Sequence, residues 1–245
     1  MKIKTLSAAL VFPLLIFTSC GEKTAEGTAQ NAQATIPAGL GGYWVNDAWW
    51  QELQSTKSPM KAAAKLNDVA AAIFHQDSSK WLADMSYGWH EGQQLTLRTK
   101  DGGLQLYDPQ NAAVRPYSLV PQPDGSIHLD STAMVRLGDA FTGFNAIASA
   151  LIGGQYDWGG KTVVFNPNGT VVGLEGYYRY ELLLDYVVDE VGADQLMLSK
   201  EGQSPEFYAF KIEGNKLQVF SLEDIGGKDA FQYKVGKVKY DLTKK

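Results

Sequence analysis

The feature that most constrains this chain is a strict alternation of apolar and polar residues, which is typical of strands with one buried face. The segment KWLADMSYGWH, residues 80–90, is the first clear case. Its apolar side chains share one face of the predicted strand, and most of its polar side chains share the other. The apolar face carries Trp81, Ala83, Met85, Tyr87 and Trp89.

A second alternating run, YYRYELLLDYVVDE, covers residues 177–190. A helix is the alternative here, because several of its leucine, tyrosine and valine residues also fall at helical spacing. Aromatic and β-branched residues are enriched in strands, so we predict one long strand. Its apolar face carries Tyr178, Tyr180, Leu182, Leu184, Tyr186 and Val188.

Turn sequences separate the alternating runs and predict β-hairpins. Asn168-Gly169, within TVVFNPNGTVVG, can adopt the positive φ angles that a tight hairpin turn requires. Strands recur at intervals of about 8–12 residues, which indicates an all-β sandwich or barrel with roughly ten strands between Gly42 and Tyr240. Similar turn sequences lie at Asp101-Gly102-Gly103, Pro123-Asp124-Gly125 and Glu213-Gly214-Asn215.

Two segments have helical rather than strand patterns. SPMKAAAKLNDVAAAIFH, residues 58–75, begins with Ser58 as a favourable N-cap and Pro59 at the first helical position. DAFTGFNAIASALIGG, residues 139–154, is the second predicted helix and ends at a Gly-Gly pair. No internal repeat or second domain boundary is apparent. The apolar stripe of the first helix consists of Ala62, Leu66, Val69, Ala70, Ile73 and Phe74.

The N-terminus has the features of a secretory signal peptide. A short basic stretch is followed by an apolar run over residues 6–17, which is shorter than the roughly 20 residues that a membrane-spanning helix needs. Two small residues then precede Cys20, the only cysteine among the 245 residues. We therefore predict that residues 1–19 form a signal peptide.

A small-residue cleavage site that ends in cysteine resembles the bacterial lipobox, with Thr18, Ser19 and Cys20 at its positions. In that family the cysteine thiol is linked to diacylglycerol and the chain is cut just before it. The resemblance implies that Cys20 is lipidated and tethers the protein to a membrane of the cell envelope, the outer membrane in a two-membrane bacterium. Two or more acyl chains would hold the protein stably. An ordinary signal peptide is the alternative.

Residues 20–40 are the predicted linker between this anchor and the globular part of the chain. They are rich in alanine, glycine, threonine, glutamine and asparagine, so we predict a flexible segment. Residues 41–245 are the predicted β-domain, which must rely on its hydrophobic core because no second cysteine is present. The net charge of −5 argues against a nucleic-acid partner, since such proteins usually carry a basic surface.

A Gly-x-Trp sequence at Gly42-Tyr43-Trp44, followed by successive hairpins, resembles the lipocalin and calycin pattern. The C-terminal hairpins, including the Ile-x-Gly-Asn-x-Leu turn at residues 212–217, are similar to those of lipocalin-like bacterial lipoproteins. A helix between the first two strands is similar to the helical lid of fatty-acid-binding proteins. The resemblance implies an antiparallel up-and-down barrel of about eight to ten strands with two helical insertions, a size that can hold one small ligand.

The predicted inward faces are rich in aromatic side chains, whose polar atoms need partners when buried. A cavity with a small apolar or amphipathic ligand would supply them, whereas the alternative is that the rings simply fill the core. Arg115 and Tyr117 resemble the Arg-x-Tyr pair that binds the ligand head group in fatty-acid-binding proteins. The predicted ligand-binding residues are Trp81, Tyr87, Trp89, Arg115, Tyr117, Tyr178, Tyr180 and Tyr186.

Sequence patterns for catalysis are absent. The chain lacks the Gly-x-Ser-x-Gly of hydrolases and the His-Glu-x-x-His of zinc proteases. We therefore predict a non-catalytic ligand-binding lipoprotein with no cofactor and no metal. Two other classes stay open: a carbohydrate- or cell-wall-binding module that uses exposed aromatic residues of GYWVNDAWW, and a structural or partner-docking lipoprotein whose protein partner is unknown.

Overall fold

Antiparallel strands account for most of the computed structural model, which describes residues 35–186, 191–226 and 232–245. The described residues form sixteen strands and three helices, and all of them belong to one compact unit. None of these three helices is long and apolar enough to cross a membrane. The predicted signal peptide, Cys20 and most of the predicted linker lie outside the described residues.

The first half of the domain is a closed barrel of eight antiparallel strands. Its elements are β1 (Gly42–Asn46), α1 (Asp47–Thr56), α2 (Pro59–Ala63), β2 (Val69–Asp77), β3 (Lys80–Tyr87), β4 (Glu91–Lys100), β5 (Gly103–Tyr107), β6 (Tyr117–Pro121), β7 (Ile127–Leu129) and β8 (Thr132–Gly138). Each strand pairs with the next along the chain, and β1 pairs with β8 to close the first barrel.

The second half is another sheet of eight antiparallel strands in up-and-down order. Its elements are α3 (Gly143–Leu151), β9 (Gly154–Trp158), β10 (Lys161–Phe165), β11 (Val171–Val172), β12 (Tyr177–Leu182), β13 (Asp194–Lys200), β14 (Glu206–Glu213), β15 (Lys216–Asp224) and β16 (Tyr233–Lys244). β9 pairs with β16, and one bridge between Thr170 and Arg179 joins the edges near β11 and β12. We call this sheet the second barrel.

A Gly-Gly pair marks the first strand of each barrel. The second glycine of the pair, Gly42 or Gly154, has a φ angle of +137° in both cases, which a residue with a side chain rarely adopts. A Cβ atom at Gly42 would lie 2.3 Å from the carbonyl oxygen of Gly138 in β8. At Gly154 it would lie 2.8 Å from Cε of Lys244 in β16. The two glycines therefore let the last strand of each barrel approach the first.

Two hydrophobic cores hold the domain together. The first fills the interior of the first barrel, mainly with aliphatic side chains. The second combines the interior of the second barrel with α1, α3 and the outer face of β1, where Tyr43 and Val45 lie. Because the second core contains residues of both halves, burial of its apolar surface stabilises their association. The aliphatic side chains of the first core include Leu95, Leu97, Leu104, Leu106, Leu119 and Leu129.

The all-β class is confirmed. The prediction of a single barrel with roughly eight to ten strands, the size that can hold one ligand, gives too few strands for the whole domain. The described residues form sixteen strands, eight in the first barrel and eight in the second. The two halves share strand order and the Gly-Gly pair but no visible sequence repeat, so the sequence alone does not predict the second barrel. The predicted hairpin turns are confirmed; for example, Asp101-Gly102 joins β4 to β5 and Gly214-Asn215 joins β14 to β15.

The predicted helix over residues 58–75 is confirmed only at its start, where Ser58 caps the short α2. From Val69 onward the segment is β2. Phe74 lies in the first core and Ala71 in the second, so both faces of β2 are buried. A strand that is buried on both faces loses its polar alternation, and here the resulting apolar run imitated a helical stripe.

The second predicted helix is confirmed as α3, whereas α1 was not predicted. The side-chain oxygen of Asn46 accepts a hydrogen bond from the Trp49 N–H at 3.1 Å and caps α1. Trp49 and Leu53, one turn apart, form the buried face of α1. The short length of α1 and its mixed composition gave only a weak helical pattern.

The predicted strand over residues 177–190 is confirmed in part as β12, and its end, with Val188, lies outside the described residues. A β-bulge after Tyr177 shifts the register against β13. As a result Tyr177 and Tyr180 are buried, whereas Tyr178 is 51% exposed. The predicted assignment of Tyr178 to the inward face is therefore wrong, because a bulge moves side chains to the opposite face.

Candidate functional site

Two predicted residues, Tyr87 and Tyr117, meet where β3 ends and β6 begins. Their rings are stacked, with centroids 6.3 Å apart and an interplanar angle of 26°. The Tyr117 hydroxyl donates to Oδ1 of Asp68 at 3.5 Å. Burial raises the pKa of both phenols, so they remain protonated at neutral pH. This pair is the part of the predicted site that the structure brings together.

Arg115 and Trp81 are not part of that pair. The Arg115 guanidinium donates to Asp130 at 2.8 Å and its side chain is 81% exposed, so it lies on the surface. The predicted Arg-x-Tyr head-group pair is therefore not formed, because a nearer carboxylate holds the arginine outside. Trp81 is half-buried against the first core.

Trp89 lies in the second core rather than inside the first barrel. It lies in the turn after β3 with a φ angle of +65°, so the alternation of faces along the strand does not extend to Trp89. Its ring lies against Trp49 at a centroid distance of 4.9 Å. The indole N–H groups of Trp49 and Trp89 are buried and have no hydrogen-bond partner among the described residues.

The three predicted tyrosines near β12 do not converge. Tyr178 is exposed, as described above. The Tyr180 hydroxyl donates to the carbonyl oxygen of Asn166 at 2.6 Å, within the second core. The Tyr186 hydroxyl accepts from the Gln195 N–H at 3.0 Å. Tyr180 and Tyr186 thus bond to nearby backbone groups.

The aromatic residues of GYWVNDAWW do not form an exposed platform. Tyr43, Trp44 and Trp49 are buried, and Trp50 is half-buried against Trp49. The Trp44 indole N–H donates to the carbonyl oxygen of Leu40 at 2.8 Å. These side chains pack in the two cores, and this segment gives no support to a carbohydrate-binding surface.

A larger group of polar aromatic side chains lies in the second barrel and was not predicted as a site. We call it the tyrosine cluster. Its three phenols are almost fully buried, and most of the other side chains of the second core are apolar. The tyrosine cluster consists of Tyr177, Tyr208, Tyr240, Glu175, Glu206 and Lys239.

Tyr208 is the centre of the tyrosine cluster. Its hydroxyl donates to the Glu206 carboxylate and accepts from the Lys239 ammonium. The Tyr177 hydroxyl lies 2.8 Å from the Tyr208 hydroxyl. A phenol has one proton, and that of Tyr208 goes to Glu206, so Tyr177 is the donor in this contact. The Tyr240 hydroxyl donates a hydrogen bond to the carboxylate of Glu175 at 2.6 Å.

A β-bulge aims Lys239 at these rings. The register of β16 against β15 shifts at this residue, which is the extra residue of the bulge. Its ammonium lies 4.6 Å from the ring centre of Tyr208, 5.6 Å from Tyr240 and 5.9 Å from Tyr177. Lys200 places a second ammonium 4.3 Å from the Tyr177 ring. The phenol rings therefore face cations as well as carboxylates.

Burial and hydrogen bonds set the protonation states of the tyrosine cluster. Burial, followed by the hydrogen bond to Glu206, raises the pKa of Tyr208, and burial with the bond to Glu175 raises that of Tyr240. The hydrogen bond from Tyr208 lowers the pKa of Glu206. At neutral pH the Tyr208 and Tyr240 phenols are therefore donors and Glu206 is an anionic acceptor. Within the described ranges, no group of three acidic, histidine or cysteine side chains is placed to hold a metal ion.

A sequence signal for the tyrosine cluster did exist. Tyr208 alternates with Phe210 in EFYAFKIE, and Tyr240 alternates with Leu242 in the last strand. This alternation predicts two inward-facing tyrosines, but it does not show that they meet. The convergence depends on the bulge at Lys239 and on contacts between residues more than thirty positions apart.

No protein-family model, no curated protein and no solved structure matches this chain.

Proposed function

We propose that this protein is a lipid-anchored lipoprotein of the bacterial cell envelope that binds a small amphipathic ligand in a lipocalin-like barrel, without catalysing a reaction. The membrane tether is the lipidated Cys20. The ligand site is the tyrosine cluster of the second barrel. This is the function expected from the sequence, but the ligand site consists of residues that the sequence did not predict as ligand-binding.

The choice of the tyrosine cluster as the ligand site rests on one observation. Polar groups of both charges converge beside a largely apolar core, which is the usual composition of a small-ligand site. The side chains of Lys239 and Glu206 are 35% and 43% exposed, so both can move into water. A polar head group can then take their place on the buried phenols without leaving a phenol unpaired.

The barrel architecture supports the lipocalin-like part of the proposal. Both sheets have eight strands in up-and-down order, and α1 and α2 lie between the first two strands of the first barrel. A barrel of about eight strands is either filled by its own side chains or holds one small ligand. The aliphatic interior of the first barrel favours the filled state, and the polar cluster of the second favours the binding state.

The anchor is tested with full-length protein expressed in a bacterium. We expect the native chain to sediment with membranes and Cys20→Ser to remain in the soluble envelope fraction, because the serine variant cannot carry the thioether-linked lipid. Ser19→Ala keeps a small residue before the cysteine and is the matched control. Membrane association of Cys20→Ser equal to that of the native chain would show that the anchor proposal is wrong.

The ligand is tested by native mass spectrometry of the full-length Cys20→Ser chain. We expect a co-purified small molecule that is lost in Tyr208→Phe, since that variant removes the hydroxyl at the centre of the cluster. Tyr117→Phe, in the first barrel, is the matched control and should retain the ligand. Loss in the control but not in Tyr208→Phe would move the site to the first barrel, and absence of any ligand would contradict the binding function.

A second function, partner docking, is favoured by a different observation. Apolar side chains are exposed on the outer face of the second barrel, at Phe207 in β14 and at Val235 and Val238 in β16. Exposed apolar groups that lie close together are typical of interaction surfaces. A protein that cross-links to the native chain in the envelope but not to Phe207→Asp would favour this function.

A further inference from the structure

A second polar site lies away from the tyrosine cluster, beside the hairpin that joins β14 to β15. It is a surface cavity of about 260 Å³ between this hairpin and the end of α3. Three lysines line it: Lys57, Lys216 and Lys244. We call it the lysine pocket. No aspartate or glutamate is among its lining residues.

Each lysine reaches the pocket from a different element. Lys57 is the C-cap of α1, and its ammonium donates to the carbonyl oxygen of Ala150 near the C-terminus of α3, at 3.0 Å. A cation is stabilised there by the helix dipole. Lys216 is the first residue of β15, directly after the hairpin turn. Three separate backbone segments thus hold the three positive charges.

Lys244 depends on the glycine that begins the second barrel. Its side chain lies against Gly154, where a Cβ atom would be 2.8 Å from Cε of the lysine. The ammonium lies 5.9 Å from the ring centre of Tyr156, which forms one wall of the pocket. The missing side chain at position 154 therefore gives this lysine the space that it occupies beside the pocket.

The pocket has an excess of positive charge. Asp241 lies 3.4 Å from the Lys216 ammonium and offsets part of its charge. Lys57 and Lys244 have no carboxylate partner among the described residues. Like charges that converge without a counter-ion repel each other, and an anion in the pocket would relieve this repulsion.

Neutral polar groups complete the lining. Ser149 and Asn215 are among the lining residues. Leu151 and Ile212 add apolar surface. The pocket thus combines cationic donors, neutral donors and a small apolar wall.

We propose that the lysine pocket binds a phosphate group, either as free phosphate or as a phosphomonoester. Lysine binds phosphate as a point charge, and several lysines around one dianion favour phosphate over a singly charged carboxylate. The volume is below the range of about 300–1,000 Å³ found for drug-sized ligands, so the pocket suits a small anion. This site is independent of the proposed ligand site in the tyrosine cluster.

The test is calorimetric titration of the full-length Cys20→Ser chain with inorganic phosphate. We expect binding that weakens as ionic strength rises, because the contact is electrostatic. Lys57→Gln and Lys244→Gln should each raise the Kd about tenfold or more, since each removes one charge from the pocket. Circular dichroism of each variant checks that its fold is retained.

Lys234→Gln is the matched control, because Lys234 is an exposed lysine that pairs with Glu223 at 3.2 Å outside the pocket. It should bind phosphate as the native chain does. The proposal would be overturned if Lys57→Gln and Lys244→Gln bound phosphate as tightly as the native chain. It would also be overturned if Lys234→Gln lost as much affinity for phosphate as these two variants. Absence of phosphate binding together with absence of binding to phosphatidic acid would also overturn it.

Vesicles distinguish the two sources of the phosphate group. Native binding to vesicles that contain phosphatidic acid, but not to phosphatidylcholine vesicles, with loss in Lys244→Gln, would support a lipid head group as the source. Binding to inorganic phosphate without binding to the phosphatidic acid vesicles would support a soluble phosphate compound.

Discussion

The two barrels have the same number and order of strands but different interiors. The first is filled mainly by leucine, with methionine, alanine and phenylalanine. The second contains buried tyrosines whose hydroxyls bond to carboxylates and to a lysine. The first interior has few buried polar groups, whereas in the second the phenol hydroxyls of the tyrosine cluster are paired. The two barrels therefore share the same strand order, and their inward side chains decide whether a barrel can bind a polar group.

The two barrels are also coupled. Trp49 of α1 is fully buried in the second core, between the outer face of the first barrel and the second barrel. The first comparison to test is thus whether the barrels unfold separately or as one unit.

Trp49→Ala should have the largest effect, a loss of about 3–5 kcal/mol in the free energy of unfolding. The substitution removes a large ring from the shared core and leaves a cavity. Chemical denaturation followed by far-ultraviolet circular dichroism measures the loss. Trp50→Ala, at the half-buried neighbour, is the control and should cost less. Two separate transitions in the native chain would contradict a single cooperative unit.

Gly42→Ala and Gly154→Ala compare the closure of the two barrels. Backbone strain at a φ angle of +137° should cost each variant about 1–3 kcal/mol of unfolding free energy. Gly42→Ala should be the more destabilising, because its Cβ meets a backbone carbonyl, whereas at Gly154 it meets a flexible lysine side chain. The two thermal midpoints test this order, and a lower midpoint for Gly154→Ala would contradict it.

Tyr208→Phe and Tyr117→Phe compare the polar groups of the two barrels. Tyr208→Phe should lose about 1–3 kcal/mol of stability, because its hydroxyl bonds to Glu206, Lys239 and a second phenol. Tyr117→Phe should lose less, since its contact with Asp68 is long at 3.5 Å. Urea denaturation of both variants measures the difference. Equal losses would show that the hydroxyl network of the second barrel adds no stability.

The smallest expected effect concerns a contact between the barrels. Nδ1 of His90, after β3, lies 2.7 Å from the carboxylate of Asp185, after β12. The hydrogen bond and charge of Asp185 raise the pKa of His90 above its ordinary value of 6.5. Protonated His90 therefore stabilises the folded state below pH 6.5, and this contribution is lost as pH rises through the raised pKa.

His90→Asn tests that sign. The urea midpoint of the variant should fall below the native value at about pH 6 and approach it at about pH 9. His75→Asn is the control, because His75 pairs with Asp84 within the first barrel, at 3.0 Å. A midpoint difference for His90→Asn that grew with rising pH would contradict the predicted charge state.

Local patterns predicted much of the fold. The alternation at residues 80–87 became β3, and turn sequences such as Asp101-Gly102 became hairpins. The helix at residues 143–151 also followed its pattern. These elements succeeded because their preferences depend on neighbouring residues. The prediction for β2 was wrong because its burial on both faces is a property of the assembled domain.

The candidate site was predicted less well for the same reason. Tyr87 and Tyr117 do meet, as residues that share an inward face can. Arg115 was misplaced because Asp130 binds it on the surface, and Tyr178 because a bulge reverses its face. Neither the choice of an ion-pair partner nor the position of a bulge follows from alternation alone.

Local backbone preference and side-chain periodicity were enough to predict most turns, several strands such as β3 and the apolar character of their inward faces. The tertiary structure added that the sixteen strands of the described residues form one closed barrel and a second, barrel-like sheet, and that Tyr177, Tyr208 and Lys239 share one network. Local patterns could not supply this, because pairing between strands and hydrogen bonding between buried side chains join residues far apart in the chain. Their energies depend on the whole packed arrangement, which no single segment encodes.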